Sequence, residues 1–231
     1  MKTNQLLLGL AVLVALAPAG PSAAADNQPV VVELFTSQGC SSCPPANANL
    51  ISLSQRNDVL VLSFAVTYWD YLGWKDSFGR PEYTDRQRIY EPALGQRGPF
   101  TPQMVVNGTT TAVGNNLAEV ERLIDGAHRT TTPAVVLGGG YVEVGEGEAP
   151  ADGADVWLVQ YDPNVVEVPV QRGENTGRTL PHTHVVHLLR HVGEWRGGAA
   201  RFETGDEAAG LRTAVLVQER NGGPILGAAT D

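Results

Sequence analysis

Between Pro29 and Arg56 the chain runs from an apolar stretch to a periodic one, with a polar turn between. PVVVELF, Pro29 to Phe35, is β-branched and apolar and is bounded by turn-formers, the pattern of a buried strand. ANANLISLSQR, Ala46 to Arg56, sets Ala46, Leu50, Leu53 and the neighbouring Ile51 at helical spacing. A helix is predicted to start near Cys40 or Cys43, with Pro44 and Pro45 in its first turn, where their missing N–H groups cost nothing. VLVLSFAVT, Val59 to Thr67, predicts a second buried strand. Strand, helix and strand joined by short connections form a βαβ unit with parallel strands.

Downstream the pattern weakens. Tyr68 to Gly98 is aromatic and charged, with a short helix predicted over Thr84–Leu94. A strand is predicted over Gln103–Asn107, then an Asn107-Gly108 turn and a returning strand near Thr110–Val113. Asn116 is placed to cap a helix over Leu117–Ala127, whose apolar face holds Leu117, Val120, Leu123, Ile124 and Ala127. From Thr131 to Asp231 short alternating apolar runs are separated by Gly, Pro, Asp and Asn, as in an antiparallel β region.

The first 25 residues differ from all of this. One cation at Lys2, an apolar run from Leu6 to Ala17 and a small-residue end at Ala23-Ala24-Ala25 predict a cleaved signal peptide. That run is short for a membrane span, which needs about 20 residues. The expected organisation is 1–25 signal peptide, 26–130 an α/β domain and 131–231 the β-rich region, with the product periplasmic or secreted and free of the membrane. The formal charge is −9, and after Lys2 the only lysine is Lys75. Without a basic run, nucleic acid is excluded as an expected partner.

The chemistry sits in TSQGCSSCPPAN, which holds both cysteines of the chain, Cys40 and Cys43. A disulfide stabilises mainly by closing a long loop in the unfolded chain, and this pair closes almost none. At a helix N-terminus, unpaired N–H groups and the helix dipole stabilise a thiolate. Cys40 is therefore the expected exposed nucleophile and Cys43 the resolving thiol. Ser41 and Ser42 add hydroxyl donors near the sulfurs.

C-x-x-C after a strand, together with GPFTPQMVVNG further on, resembles the thioredoxin superfamily. The resemblance implies a thioredoxin-like fold (βαβ…ββα) with a cis Pro102 facing the cysteines and Thr101 before it holding substrate. VELFTSQGCSSCPPA, YWDYLGWKD, RQRIY, FTPQMVVNG and GENTGRTL together look like a family of exported bacterial proteins of unknown function, thioredoxin-like with an appended antiparallel β-rich C-terminal region. The sequence departs from thioredoxin at Gly39, where an aromatic is usual, and at Ser41-Ser42 in place of Gly-Pro. The resemblance also implies a buried acid that relays protons from the second cysteine. Glu33 is its candidate, the alternative being a Glu33 that faces solvent or pairs with an arginine.

Further candidates surround this core. Trp69 and Trp74 of YWDYLGWKD are expected either to wall a substrate groove or to fill the core. In GENTGRTL, Glu174 and Arg178 could reach over the site. On a strand His182 and His184 share a face, and on a helix His184, His187 and His191 do; either set could bind a transition metal, the alternative being plain surface histidines. The leading expectation is an exported thiol–disulfide oxidoreductase acting on protein or small-molecule thiols, with no dissociable cofactor and no metal. A copper carrier using the two thiolates, and a binding module with an inert disulfide, stand as alternatives.

Overall fold

The computed structural model describes residues 28–128, 132–205 and 208–231. The expected signal peptide, 1–25, lies outside the described residues. The chain is a mixed α/β protein with one large mixed sheet and few helices.

Its first half follows the predicted order. Strand β1 (Val30–Thr36), helix α1 (Pro44–Leu53) and strand β2 (Val59–Ala65) come in succession, and β1 and β2 pair in parallel. Helix α2 (Pro81–Ala93) starts three residues earlier than predicted, with Pro81 in its first turn and Arg80 extended before it. Strands β3 (Gln103–Val106) and β4 (Thr110–Val113) form a hairpin. At its turn Asn107 and Gly108 both have positive φ, 47° and 67°, which the type I′ turn needs. Helix α3 (Leu117–Asp125) is capped by Asn116, whose side chain accepts from the Glu119 N–H at 3.3 Å.

The second half supplies β5 (Val135–Gly138), β6 (Tyr141–Val144), β7 (Ala154–Asp162), β8 (Val166–Pro169), β9 (Thr179–His182), β10 (Val185–Trp195), β11 (Ala200–Glu203), β12 (Arg212–Glu219) and β13 (Ile225–Thr230). Four of these strands extend the first half's sheet, giving the order β13-β12-β7-β10-β2-β1-β3-β4. The junction is β10 beside β2, parallel, with the Ser63 N–H donating to the His184 carbonyl at 2.9 Å. The strands on either side of residue 130 thus share one sheet. β5, β6 and β11 form a second sheet, and β8 with β9 a separate hairpin.

β1 is buried along its whole length, so both of its faces carry core. Val31 and Phe35 face one cluster with Tyr83 and Tyr90 of α2, Phe64, Tyr161 and Leu216. Val30, Val32 and Leu34 face the other, with Leu50 and Leu53 of α1 and Val120 and Ile124 of α3. Further along that second face, the three-stranded sheet packs on Val156, Leu158, Val215 and Val217 around Trp195. Alternation of side chains along a strand fixes which residues see which face. That places odd-numbered Glu33 on the α2 side, across the sheet from α1.

Candidate functional site

The turn after β1 carries the two cysteines to the start of α1. Cys43 is the N-cap residue of that helix, and Cys40 is disulfide-bonded to it. The Cys43 N–H donates to the Cys40 carbonyl at 3.2 Å, and the Cys40 N–H to Ser37 at 3.2 Å. The loop between β1 and α1 is therefore two linked tight turns, with Ser41 and Ser42 exposed at the tip.

β3 brings the second half of the site. The Thr101–Pro102 peptide is cis, as the resemblance implied, and Pro102 is buried. The Thr101 hydroxyl donates to Sγ of Cys40 at 3.2 Å. Ser42 Oγ lies 3.3 Å from the same sulfur and 3.4 Å from the Thr101 carbonyl, to which it donates. Trp69 joins this group by donating its indole N–H to the Thr101 hydroxyl at 2.8 Å. Gly39 has a physical reason to lack a side chain, because a Cβ there would stand 3.2 Å from Cβ of Trp69. Trp69 fills the space beside the cysteine turn.

Trp74 is held one step back, donating from Nε1 to the Gln38 side-chain oxygen at 2.9 Å. Gln38 and Asp76 anchor this flank. The Asp76 carboxylate accepts from the N–H groups of Gln38 at 2.7 Å and Phe78 at 2.9 Å, and burial pushes its pKa up to about 6.

The opposite flank comes from the tip of the β8–β9 hairpin. Asn175 is fully buried and donates from Nδ2 to the carbonyls of Gln38, at 3.0 Å, and Cys40, at 2.8 Å. Arg178 donates to its Oδ1 at 2.9 Å, which fixes the amide's orientation. The Glu174 carboxylate accepts from the Ser41 N–H at 3.0 Å, a contact that lowers its pKa. Sequence reasoning reached Glu174 and Arg178 but missed Asn175, Gln38 and Asp76. The available signal for Asn175 is its place between Gly173 and Gly177 in the loop that carries Glu174 and Arg178.

Two expectations change. Cys40 is not exposed: both cysteines have 0% accessibility, enclosed by Thr101, Trp69 and the hairpin tip. Glu33 does not join the cysteines. It is fully buried on the far face in an ion pair with Arg86 at 2.5 Å, and Tyr90 donates a very short hydrogen bond to its other oxygen. The arginine-paired alternative for Glu33 is the one realised.

The four histidines go to different partners, except that His182 and His187 both meet the Phe78 ring. His182 lies on β9 with Nδ1 3.3 Å from the Asn47 side-chain nitrogen, and burial pushes its pKa down to about 4. His184 stacks on Tyr161, His187 meets the edge of Phe78, and His191 pairs with Asp155. Among the described residues no group of three or more His, Cys, Asp or Glu is placed to hold a metal ion. No helix there is long and apolar enough to cross a membrane.

A family model described as "Protein of unknown function (DUF1223)" matches residues 31–218. Among solved structures, protein AGR_C_4864 from Agrobacterium tumefaciens is 33% identical over 87% of this chain and 92% of its own, with a TM-score of 0.71. HBP35 of Porphyromonas gingivalis is 17% identical over 89% of this chain and 75% of its own, with a TM-score of 0.55, a likeness of fold alone. No curated protein matches.

Proposed function

The chain belongs to the family described as "Protein of unknown function (DUF1223)", and because that family assigns no activity we propose one from the site: an exported thiol–disulfide oxidoreductase of thioredoxin-like build. The observation that carries this reading is the donation from Thr101, the residue before cis Pro102, to Sγ of Cys40 in a disulfide at the N-terminus of α1. A donor aimed at that sulfur stabilises the thiolate released when the disulfide opens. The parallel β1–α1–β2 unit, with β3 antiparallel to β1 and followed by β4 and α3, supports the thioredoxin-like build.

In the reducing direction the Cys40 thiolate attacks one sulfur of a substrate disulfide. The substrate S–S bond breaks, its other sulfur leaves as a thiolate, and a mixed disulfide forms. The Cys43 thiolate then attacks Sγ of Cys40, releasing the second substrate thiolate and closing the Cys40–Cys43 bond. Two electrons pass to the substrate, and the reverse sequence oxidises a substrate dithiol. Thr101 and Pro102 form the shelf beside Cys40 on which substrate would rest, and Trp69 orients Thr101. The partners are protein or small-molecule thiols in the periplasm or outside the cell. The test is Cys40→Ser in turnover of a protein disulfide: the variant is expected to lose activity, and wild-type turnover by it would overturn the mechanism.

A further inference from the structure

The Cys40–Cys43 disulfide has no accessible surface, although exchange requires a sulfur to approach it. Trp69 and Thr101 close one side, from the turn after β2 and the bend before β3, where the Trp69 indole holds the Thr101 hydroxyl. The tip of the β8–β9 hairpin closes the other, and its attachment is of a different kind. It rests on hydrogen bonds: Asn175 to the carbonyls of Gln38 and Cys40, and Glu174 to the Ser41 N–H. Glu174, Asn175 and Thr176 are all polar, so the tip inserts no apolar side chain of its own. Gly173 and Gly177 bound it with φ of 80° and 79°. A side chain at Gly173 would begin 3.7 Å from Cβ of Trp74 and 3.9 Å from Cα of Gly39. The tip therefore lies flat against the cysteine turn.

We propose that residues 173–177 are a redox-sensitive lid on the cysteine pair, latched by Asn175 and released by charge at Cys40. This rests on the oxidoreductase reading, since it says how that site is regulated. In the oxidised state Cys40 carries no charge, and the Glu174 carboxylate holds the neighbouring Ser41 N–H. Reduction by a dithiol, which leaves as its own disulfide, passes two electrons to the pair; the S–S bond breaks, one proton goes to Cys43, and Cys40 is left as the thiolate. The thiolate then repels the carboxylate and competes with it for the N–H groups of the turn. The lid shields the oxidised pair from chance thiols and opens once the pair is reduced. Opening frees the Gln38 carbonyl and the Ser41 N–H beside Cys40, while the Cys40 carbonyl keeps the Cys43 N–H.

The experiment is single-turnover reduction of the oxidised protein by excess dithiothreitol, followed by alkylation of the new thiols. It compares wild type with Asn175→Ala and Glu174→Gln, both in buffer and in denaturant. Loss of the latch is expected to raise the reduction rate about tenfold for each hydrogen bond lost, and so most in Asn175→Ala, where both contacts to the turn go. All three proteins should react alike when unfolded. Equal rates for folded wild type and Asn175→Ala would overturn the lid. Hydrogen exchange of the Ser41 amide in wild type is the second readout and needs no variant to fold. It is expected to be slow in the oxidised protein and faster after reduction, and equal protection in both states would overturn the redox coupling. Neither readout depends on turnover. Faster reduction of Asn175→Ala in a protein that turns over no disulfide would leave the lid standing and remove the oxidoreductase reading. Normal turnover with unchanged reduction rates would do the opposite.

Discussion

The indole N–H of Trp69 donates to the hydroxyl oxygen of Thr101 at 2.8 Å, and this fixes where the Thr101 hydroxyl hydrogen goes. A hydroxyl has one hydrogen to give. With its oxygen accepting from the indole, that hydrogen points to Sγ of Cys40 at 3.2 Å. An aromatic residue after β2 thereby sets the polarity around a cysteine after β1.

Thr101→Val keeps the shape and removes this donor. The donor favours the thiolate more than the disulfide, so its loss favours the oxidised form. The reduction potential of the pair is expected to become more negative by about 30 mV, equivalent to one charge-assisted hydrogen bond of about 1.4 kcal/mol. Equilibration in thiol buffers measures it. A shift toward less negative values would mean that the Thr101 hydroxyl does not stabilise the thiolate.

Glu33 and Arg86 give a prediction about stability and not about exchange. Both side chains are buried, and the Arg86 guanidinium also lies over the rings of Phe64, Tyr90 and Trp157 at 5.5–5.7 Å. Glu33→Gln leaves a buried cation without its counter-charge, which costs about 3–5 kcal/mol. Urea unfolding is expected to show that loss, while the pH profile of disulfide exchange stays unchanged. A shifted exchange profile would restore Glu33 to the proton path that its position across the sheet argues against.

Glu33 also shows where the sequence stops informing. Local chemistry was legible: the β1–α1–β2 pattern, the Asn107-Gly108 turn and the Asn116 cap all follow from residues within a few positions of each other. The face taken by Glu33 follows from strand alternation, but its partner sits 53 residues away on α2. α2 itself was placed short because its buried face includes Thr84, Arg86 and Gln87 between Tyr83 and Tyr90, so the usual apolar period is hidden. The two contacts that complete the site are more distant still. Asn175 reaches the Cys40 carbonyl across 135 positions, and β10 joins β2 with a single residue pair in register. No pattern along the chain encodes such meetings. They come from how the sheet is ordered.

Asp76 contributes a pH dependence with a definite sign. Its folded pKa, about 6, lies above the ordinary value of 3.8 because burial disfavours the charge. Between these values the folded protein binds more proton than the unfolded chain, so the contribution is fully present below about pH 4 and is lost as pH rises through 6. At 1.36 kcal/mol per unit the loss amounts to about 3 kcal/mol. Asp76→Asn cannot titrate. Its stability relative to wild type is expected to rise by about that amount from pH 4 to pH 7 in urea melts, and a flat difference would exclude a raised Asp76 pKa.

His182 acts in the opposite direction over nearly the same window. Its ring is buried against Asn47 and Phe78, Nε2 has no hydrogen-bond partner, and its pKa falls from 6.5 to about 4. The unfolded chain therefore binds the proton first, and stability is lost as pH falls from about 6.5 toward 4. The shift again corresponds to about 3 kcal/mol. His182→Gln cannot titrate, so its stability relative to wild type is expected to rise on acidification, mirroring Asp76→Asn. Each group thus masks the other in the wild-type curve between pH 4 and 6. His184, whose pKa burial likewise pushes down to about 4, adds a second loss on acidification, so the wild-type curve falls toward pH 4 and each group is read from its variant's difference from wild type. Because β9 packs on α1 through this histidine, protonation at low pH is also expected to loosen the hairpin that carries Asn175. Disulfide reduction by dithiothreitol, corrected for the reductant's own ionisation, should then speed up below pH 5 in wild type but not in His182→Gln. An unaccelerated wild type at that pH would show that the hairpin holds the cysteine turn without His182.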